Sequence, residues 1–148
     1  MRDTGPHDLE RFVRAQERDF ETALAELRAG SKRTHWMWYV FPQIDGLGMS
    51  EMSRHYAIRS RAEAEAYLAH PVLGPRLVAC CEALLGVHGR TAHQILGSPD
   101  DLKLRSSATL FASVSPPGSV FERVLGRYHG GEPDPTTLRL LAAAGGRV

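Results

Sequence analysis

The sequence has no long apolar run, little net charge and no secretion signal. No apolar stretch in the 148-residue chain approaches the roughly 20 residues that a membrane-spanning helix needs. The N-terminal MRDTGPHDLERFV also lacks the apolar segment of a secreted protein. With 18 basic and 17 acidic side chains the formal net charge is +1, so there is no strong signal for nucleic-acid binding. We therefore expect a cytoplasmic protein without a membrane partner.

Cysteine is scarce, and the common cofactor motifs are missing. The two cysteines, Cys80 and Cys81, are neighbours. Inside a helix their side chains point about 100° apart and cannot readily bridge, so we expect two small buried groups in a reducing compartment. The histidines lack metal-ligand spacing, and no P-loop, Rossmann fingerprint or G-x-S-x-G elbow occurs. We predict no metal and no cofactor.

Apolar residues recur at three- and four-residue steps through most of the chain. A first helix is predicted from its N-cap at Asp8 to Gly30. Nothing resembles the alternation of a strand. With 43% apolar and 24% charged residues, residues 1–148 predict a single compact all-α domain of about seven or eight short helices. Further helix starts are predicted at Thr34, Ser50, Ser60 (a capping box with Glu63), Thr91, Ser98-Pro99-Asp100-Asp101 and Thr136.

The first candidate site is the aromatic segment, residues 32–43. Four of the chain's eleven aromatic residues lie in it within six positions, including both tryptophans. Such rings stack on bases or sugars, and polar neighbours hold phosphate or carboxylate oxygens. The alternative is that the rings only fill the core. The predicted ligand-binding residues here are Lys32, Arg33, His35, Trp36, Trp38 and Gln43.

The second candidate is a polar interruption in an otherwise apolar helix. Lys103 and Ser107 are one turn apart and predict a shared face that meets an anionic group, with Ser106 and Thr109 beside them. The alternative is that the hydroxyls bond back to carbonyls four residues earlier and that the lysine reaches water. Two carboxylates, Asp101 and Asp134, are the candidate catalytic groups. The alternative is that Asp101 is only a helix-capping acid and Asp134 only a turn residue.

Several stretches together resemble a known bacterial family. They are FVRAQERDFETALAELRAGSKRTHWMWYVFPQIDGLGMS, AEAYLAHPVLGPRL, DDLKLRSSATLFASV and the final DPTTL. The chain resembles an uncharacterised family, domain of unknown function eighteen-ten (DUF1810), often mislabelled calpastatin. The resemblance implies an all-helical cytoplasmic protein and no established reaction. Family members commonly have methionine where Ala108 stands, which leaves more room near Ser107 and Thr109.

A second, weaker likeness concerns the helical NADAR family. The Asp101-Leu-Lys103 helix start, followed by a long helix ending in phenylalanine, looks similar to it. That likeness implies cleavage of N-glycosidic bonds in ribose or ADP-ribose derivatives. Our hypothesis is a pocket for a small nucleotide- or ADP-ribose-like ligand, either binding only or hydrolysing it through Asp101 or Asp134. The alternative function is a non-catalytic interaction or binding module.

Overall fold

The computed structural model describes residues 7–145. Over this part of the chain the protein has nine helices and no strand, which confirms the all-α prediction. The single extended pairing described is an isolated parallel bridge between Ile44 and Ile58. The helices are α1 (Glu10–Ala29), α2 (Met37–Val40), α3 (Glu51–His55), α4 (Arg61–Ala69), α5 (Leu73–Leu85), α6 (Ala92–Leu96), α7 (Asp100–Ser113), α8 (Val120–His129) and α9 (Pro135–Gly145).

Helix α5 is the centre of the packing. Helices α1, α4 and α8 all pack against it, and α8 also packs against α7. Full burial of a leucine-sized side chain stabilises a fold by about 1.5–3 kcal/mol, so the apolar side of α5 contributes a large share of the core. Its buried residues are Leu73, Gly74, Leu77, Cys80, Cys81 and Leu84.

A row of aromatic rings crosses the core from α1 to α8. Phe12 meets Tyr67 edge to face, with ring centroids 5.1 Å apart. Tyr67 lies 5.3 Å from Phe111, and Phe111 lies 5.7 Å from Phe121. Such pairs add to the energy of simple burial because ring edges and faces carry opposite partial charges. The row joins four helices that are distant in sequence.

The corner between α4 and α5 depends on a glycine. A side chain at Gly74 would place its Cβ 2.2 Å from the carbonyl oxygen of Leu68, so only glycine fits without movement. The two helices are bent by 86° there. No single helix within residues 7–145 is long and apolar enough to cross a membrane, although these two together meet that criterion of length and composition.

Four predicted helix starts are confirmed. The side chain of Ser50 accepts a hydrogen bond from the backbone of Ser53, and Thr91 forms a full capping box with Gln94. At Ser60 the hydroxyl accepts from the backbone of Glu63 as expected. The Glu63 carboxylate, however, accepts from the backbone of Arg59 rather than closing the box on Ser60. The last helix begins at Pro135, one residue before the predicted Thr136.

Three predicted N-caps are wrong, because a different residue takes the N-cap position of each helix. Asp8 adopts φ +48° and does not cap α1, whose N-cap is Leu9. Its carbonyl instead accepts from the Arg11 guanidinium. Thr34 bonds to Glu26 instead of capping a helix, and α2 begins only after Trp36. Ser98 makes no cap either, since Pro99 takes the N-cap position of α7.

A buried ion pair ties the start of α1 to α4. Arg11 and Glu63 approach to 2.7 Å, with side chains only 9% and 3% exposed. The same guanidinium donates to the carbonyls of His55 and Ala57. A charge buried so deeply needs all of these partners, because unpaired it costs several kcal/mol, on the order of 3–5. The pair therefore fixes where α1 begins relative to the α3–α4 connection.

Candidate functional site

A groove open to solvent lies between the aromatic segment and the first turns of α7 and α9. Its volume is about 280 Å³. It is the place where the two stretches singled out from the sequence come together. The lining residues are Trp38, Gln43, Leu47, Gly48, Pro99, Leu102, Lys103, Ser106, Asp134 and Thr136.

Trp38 reaches the groove because of the short helix that carries it. The other three residues of α2, Met37, Tyr39 and Val40, are buried, whereas Trp38 is half-buried. Three side chains of this one-turn helix thus pack in the core, and the fourth, that of Trp38, lies at the groove. Beyond Pro42, the carbonyl of Gln43 accepts a hydrogen bond of 2.8 Å from Ile58. The Gln43 side-chain amide has no hydrogen-bond partner among residues 7–145, so it is available to a ligand.

Glu26 of α1 holds the beginning of the aromatic segment. Its carboxylate accepts from the backbone amides of Arg33 and Thr34, from the Thr34 hydroxyl, and from Trp36 Nε1 at 2.8 Å. Burial alone raises the pKa of Glu26, but these hydrogen bonds outweigh it and lower the pKa to about 2. The segment is therefore anchored by an ionised group, which sequence reasoning did not identify.

One aspartate contacts both lysines of the chain, and each lysine lies against one of the two tryptophans. The Asp100 carboxylate lies 2.9 Å from Lys32 Nζ and 3.3 Å from Lys103 Nζ. Lys32 Nζ lies 5.1 Å from the Trp36 ring centroid, and Lys103 Nζ lies 3.8 Å from that of Trp38. Both distances fall within the range of cation–π attraction. We call these five residues the Asp100 cluster.

Asp134 is the carboxylate of the groove. Its Oδ2 accepts from the Ser106 hydroxyl at 3.1 Å and from both the backbone and the hydroxyl of Thr137. Burial raises the pKa of Asp134, but the hydrogen bonds from Thr137 and Ser106 outweigh it, so the net shift is downward. The group is therefore an ionised N-cap of α9. The bonds from Ser106 and Thr137 all go to Oδ2, and the Thr136 backbone amide is a further donor to the carboxylate, so Oδ1 has at least one lone pair left for a ligand.

Several predicted ligand residues of the aromatic segment lie outside the groove. Trp36 is 1% exposed and belongs to the core. Lys32 is enclosed as well, with 7% of its side chain exposed, and is paired with Asp100. Arg33 and His35 are exposed but do not line the groove. Core packing therefore accounts for Trp36, as the alternative interpretation held.

The second segment is likewise divided. Ser106 lines the groove and, as the alternative held, also donates to the carbonyl four residues earlier, at 3.3 Å. Thr109 donates to the Arg105 carbonyl and accepts from the Asp134 backbone amide, both at 2.8 Å, so it only holds Asp134 in place. Ser107 is buried, and its hydroxyl has no partner within the described residues. The expectation that Ser107 shares a ligand-facing surface with Lys103 is wrong.

Asp101, the other candidate catalytic group, lies outside the groove. Its Oδ2 lies 3.5 Å from His93 Nδ1, and its Oδ1 accepts from the backbone of Leu102. Of the two predicted catalytic carboxylates, the structure places only Asp134 at the groove. Asp100, read from the sequence as a capping acid, contacts the groove through Lys103 instead. No local signal singles it out, because its pairing with Lys32 joins residues that are distant in sequence.

Known proteins show which family this chain belongs to. Residues 6–141 match the family described as "Protein of unknown function (DUF1810)". The chain belongs to the DUF1810 family. A solved DUF1810-like structure is that of the conserved hypothetical protein Rv1873 from Mycobacterium tuberculosis, which is 50% identical with a TM-score of 0.91. The similarity covers 93% of this chain and 98% of that one.

The comparisons confirm the family expected from the sequence and the all-helical fold. No curated protein matches the DUF1810 chain. The likeness to the NADAR family is not shown by any of these findings. The function of the groove therefore has to be argued from its own chemistry.

Proposed function

We propose that this DUF1810 protein binds a small ribosyl ligand, nucleoside- or nucleotide-like, in the groove. The observation that carries the proposal is the convergence of an indole ring, a free amide and a partly free carboxylate on one open groove. Ligand sites combine apolar walls with a few polar groups that fix orientation in this way. Leu47, Pro99 and Leu102 supply the apolar part of the wall.

Each polar group suits a different part of such a ligand. The Trp38 ring offers a surface for a base or for the apolar face of a sugar. The Gln43 amide both donates and accepts, as the edge of a base requires. Asp134 Oδ1 accepts from sugar hydroxyls, and a hydrogen bond to a charged acceptor contributes roughly 1.5–3 kcal/mol.

Binding is better supported than hydrolysis of an N-glycosidic bond. Glycosidic cleavage commonly uses two carboxylates, one as an acid and one as a base or nucleophile. Among the residues that the structure describes, Asp134 is the only carboxylate that lines the groove, and its lowered pKa keeps it ionised rather than ready to donate a proton. Asp134 therefore serves as an acceptor for the sugar.

The proposal is tested by titrating the protein with adenosine, adenosine 5′-monophosphate, ribose 5-phosphate and ADP-ribose. A ligand at 100 times its Kd stabilises the native state by about 2.7 kcal/mol, which for a chain of this length raises Tm by about 5–10 °C. Asp134→Asn keeps an N-cap of equal quality but removes the charge, so it should weaken binding about tenfold or more with little loss of stability.

A matched control is His35→Ala, which changes an exposed residue of the same segment that does not line the groove. We expect it to bind as the unmodified protein does. If none of the four compounds raises Tm at millimolar concentration, the proposal is wrong and an interaction module becomes the better interpretation. Equal loss of binding in His35→Ala and Asp134→Asn would place the ligand elsewhere.

A further inference from the structure

The Asp100 cluster links the groove to the interior of the protein. Lys32 is held on the inner side, where its backbone amide donates to Ile95 at 2.7 Å and its side chain is 7% exposed. Lys103 lies at the groove with 18% of its side chain exposed. Asp100, 17% exposed, contacts both ammonium groups, one with each carboxylate oxygen. A single carboxylate thus fixes the position of Lys103, the one cation among the described residues that line the groove.

The cation that a ligand would meet is therefore already engaged twice. Its Nζ lies against the Trp38 ring at 3.8 Å and beside Asp100 at 3.3 Å. A phosphate group that approaches this ammonium competes with both partners for its charge. Lysine suits such competition, since its compact charge and flexible stem allow it to move. Asp100 holds it in place.

Among the described residues that line the groove, the charged side chains are Lys103 and Asp134. Lys103 is already paired with Asp100, which also contacts Lys32, and Arg139 lies at the edge, where it donates to the Thr136 hydroxyl at 3.2 Å. A phosphate monoester brings about −1.5 to −2 charge at neutral pH. Inside the groove it would face the ionised Asp134 carboxylate and a lysine whose charge Asp100 already compensates. An uncharged ring compound with hydroxyl groups meets no such opposition.

We infer that Asp100 is a positioning residue that makes the groove select uncharged ligands, such as nucleosides, over their phosphorylated forms. This inference rests on the proposed function and narrows its ligand class. In this arrangement Asp100 keeps Lys103 beside the Trp38 ring, so the lysine is not free to anchor a phosphate. Selectivity is then set by a carboxylate that does not itself line the groove.

Two variants of the cluster should shift selectivity in opposite directions. Asp100→Asn frees Lys103, so affinity for adenosine 5′-monophosphate should rise about tenfold relative to adenosine, as expected for one more uncompensated charge near the groove. Lys32→Met leaves Lys103 as the only partner of Asp100 in the cluster and adds net negative charge. Affinity for adenosine 5′-monophosphate relative to adenosine should therefore fall. Isothermal titration of each variant with both compounds gives the two ratios.

Loss of stability cannot imitate this result. Asp100→Asn strands the buried Lys32 ammonium, and Lys32→Met removes one of the two partners of Asp100, so both variants should lower Tm. A purely structural role would nevertheless weaken the binding of both ligands equally. If the two ratios stay unchanged or move together, Asp100 does not control selectivity. If the unmodified protein binds the monophosphate at least as tightly as adenosine, charge selection is refuted while the binding proposal stands.

A measurement without ligand separates the inference from the proposed function. Lys32 and Lys103 are the only two lysines, so acetylation can be followed at each by mass spectrometry. Asp100→Asn should raise the acetylation rate of Lys103 several-fold, because its ammonium is no longer held against the ring. If none of the four ribosyl compounds binds, the proposed function falls, and an unchanged acetylation rate refutes the positioning role independently.

Discussion

Replacing Glu26 by glutamine removes one charge from the anchor of the aromatic segment and little else. The glutamine oxygen can still accept from the Arg33 amide and from Trp36 Nε1, and the Thr34 hydroxyl can rotate to accept from the new amide. The variant therefore measures how much the ionised form of Glu26 contributes, rather than the loss of a whole hydrogen-bond network.

The expected magnitude follows from the pKa. Hydrogen bonds hold the pKa of Glu26 at about 2 instead of 4.5. After allowance for solvent screening at this partly exposed site, that preference corresponds to roughly 1–2 kcal/mol at pH 7. For a chain of this length such a loss lowers Tm by about 3–6 °C.

The pH dependence supplies a second, sharper criterion. A carboxyl group whose pKa is lowered in the folded state stabilises that state above its ordinary pKa, and the contribution is lost as pH falls towards the lowered value. The difference between Glu26 and glutamine should thus be complete at pH 7, begin to shrink below about pH 4.5 and be less than half as large at pH 3.

The measurement is urea unfolding of both proteins at pH 7 and at pH 3. Glu21→Gln is the matched control, since Glu21 is exposed on the same helix and makes no ion pair within the described residues. We expect it to unfold like the unmodified protein at both pH values. If Glu26→Gln behaves like Glu21→Gln at pH 7, or if its deficit is the same at pH 3, the carboxylate does not anchor the segment.

Three further predictions concern the core. Gly74→Ala should destabilise the protein by at least about 2 kcal/mol, because its Cβ meets the Leu68 carbonyl at 2.2 Å. Its control is Gly126→Ala, which has open space around it and should raise the free energy of unfolding by about 0.5–1 kcal/mol in the same thermal melts. Burial raises the pKa of Cys80 to about 12, so Ellman's reagent should react with it only after urea unfolding, and prompt reaction in buffer would contradict the buried site. Arg11→Met strands the carboxylate that it pairs with at 2.7 Å and should cost about 3–5 kcal/mol in urea titration, and a loss below about 1 kcal/mol would be the contrary result.

Local signals predicted the elements well where nothing distant competed for the same groups. The hydroxyls of Ser50 and Thr91 cap the helices that follow them, since each cap needs only backbone amides a few residues away. Thr34 carries equally good capping chemistry and fails because its hydroxyl donates to Glu26 instead. Asp8 fails because its backbone adopts φ +48° and Leu9 takes the N-cap position. Local propensity is correct until a tertiary partner binds the capping residue more strongly.

The candidate site was predictable in its location but not in its internal roles. Ring content and polar interruption indicated the two stretches that meet at the groove, and Trp38, Gln43 and Lys103 do line it. The same signals did not separate Trp38 from Trp36. The two residues are only two positions apart, yet Trp36 is buried in the core and Trp38 is half-buried at the groove. Periodicity over four residues is too short to assign a face.

By itself, the sequence determined the helical class, most helix boundaries and the DUF1810 family, since these depend on short-range periodicity and on motifs. The tertiary structure alone decided that Asp100 joins both lysines and that Asp134, not Asp101, lies at the groove. The physical reason is that an ion pair or a groove forms between side chains brought together by packing. That proximity depends on the whole core rather than on any local stretch of chain.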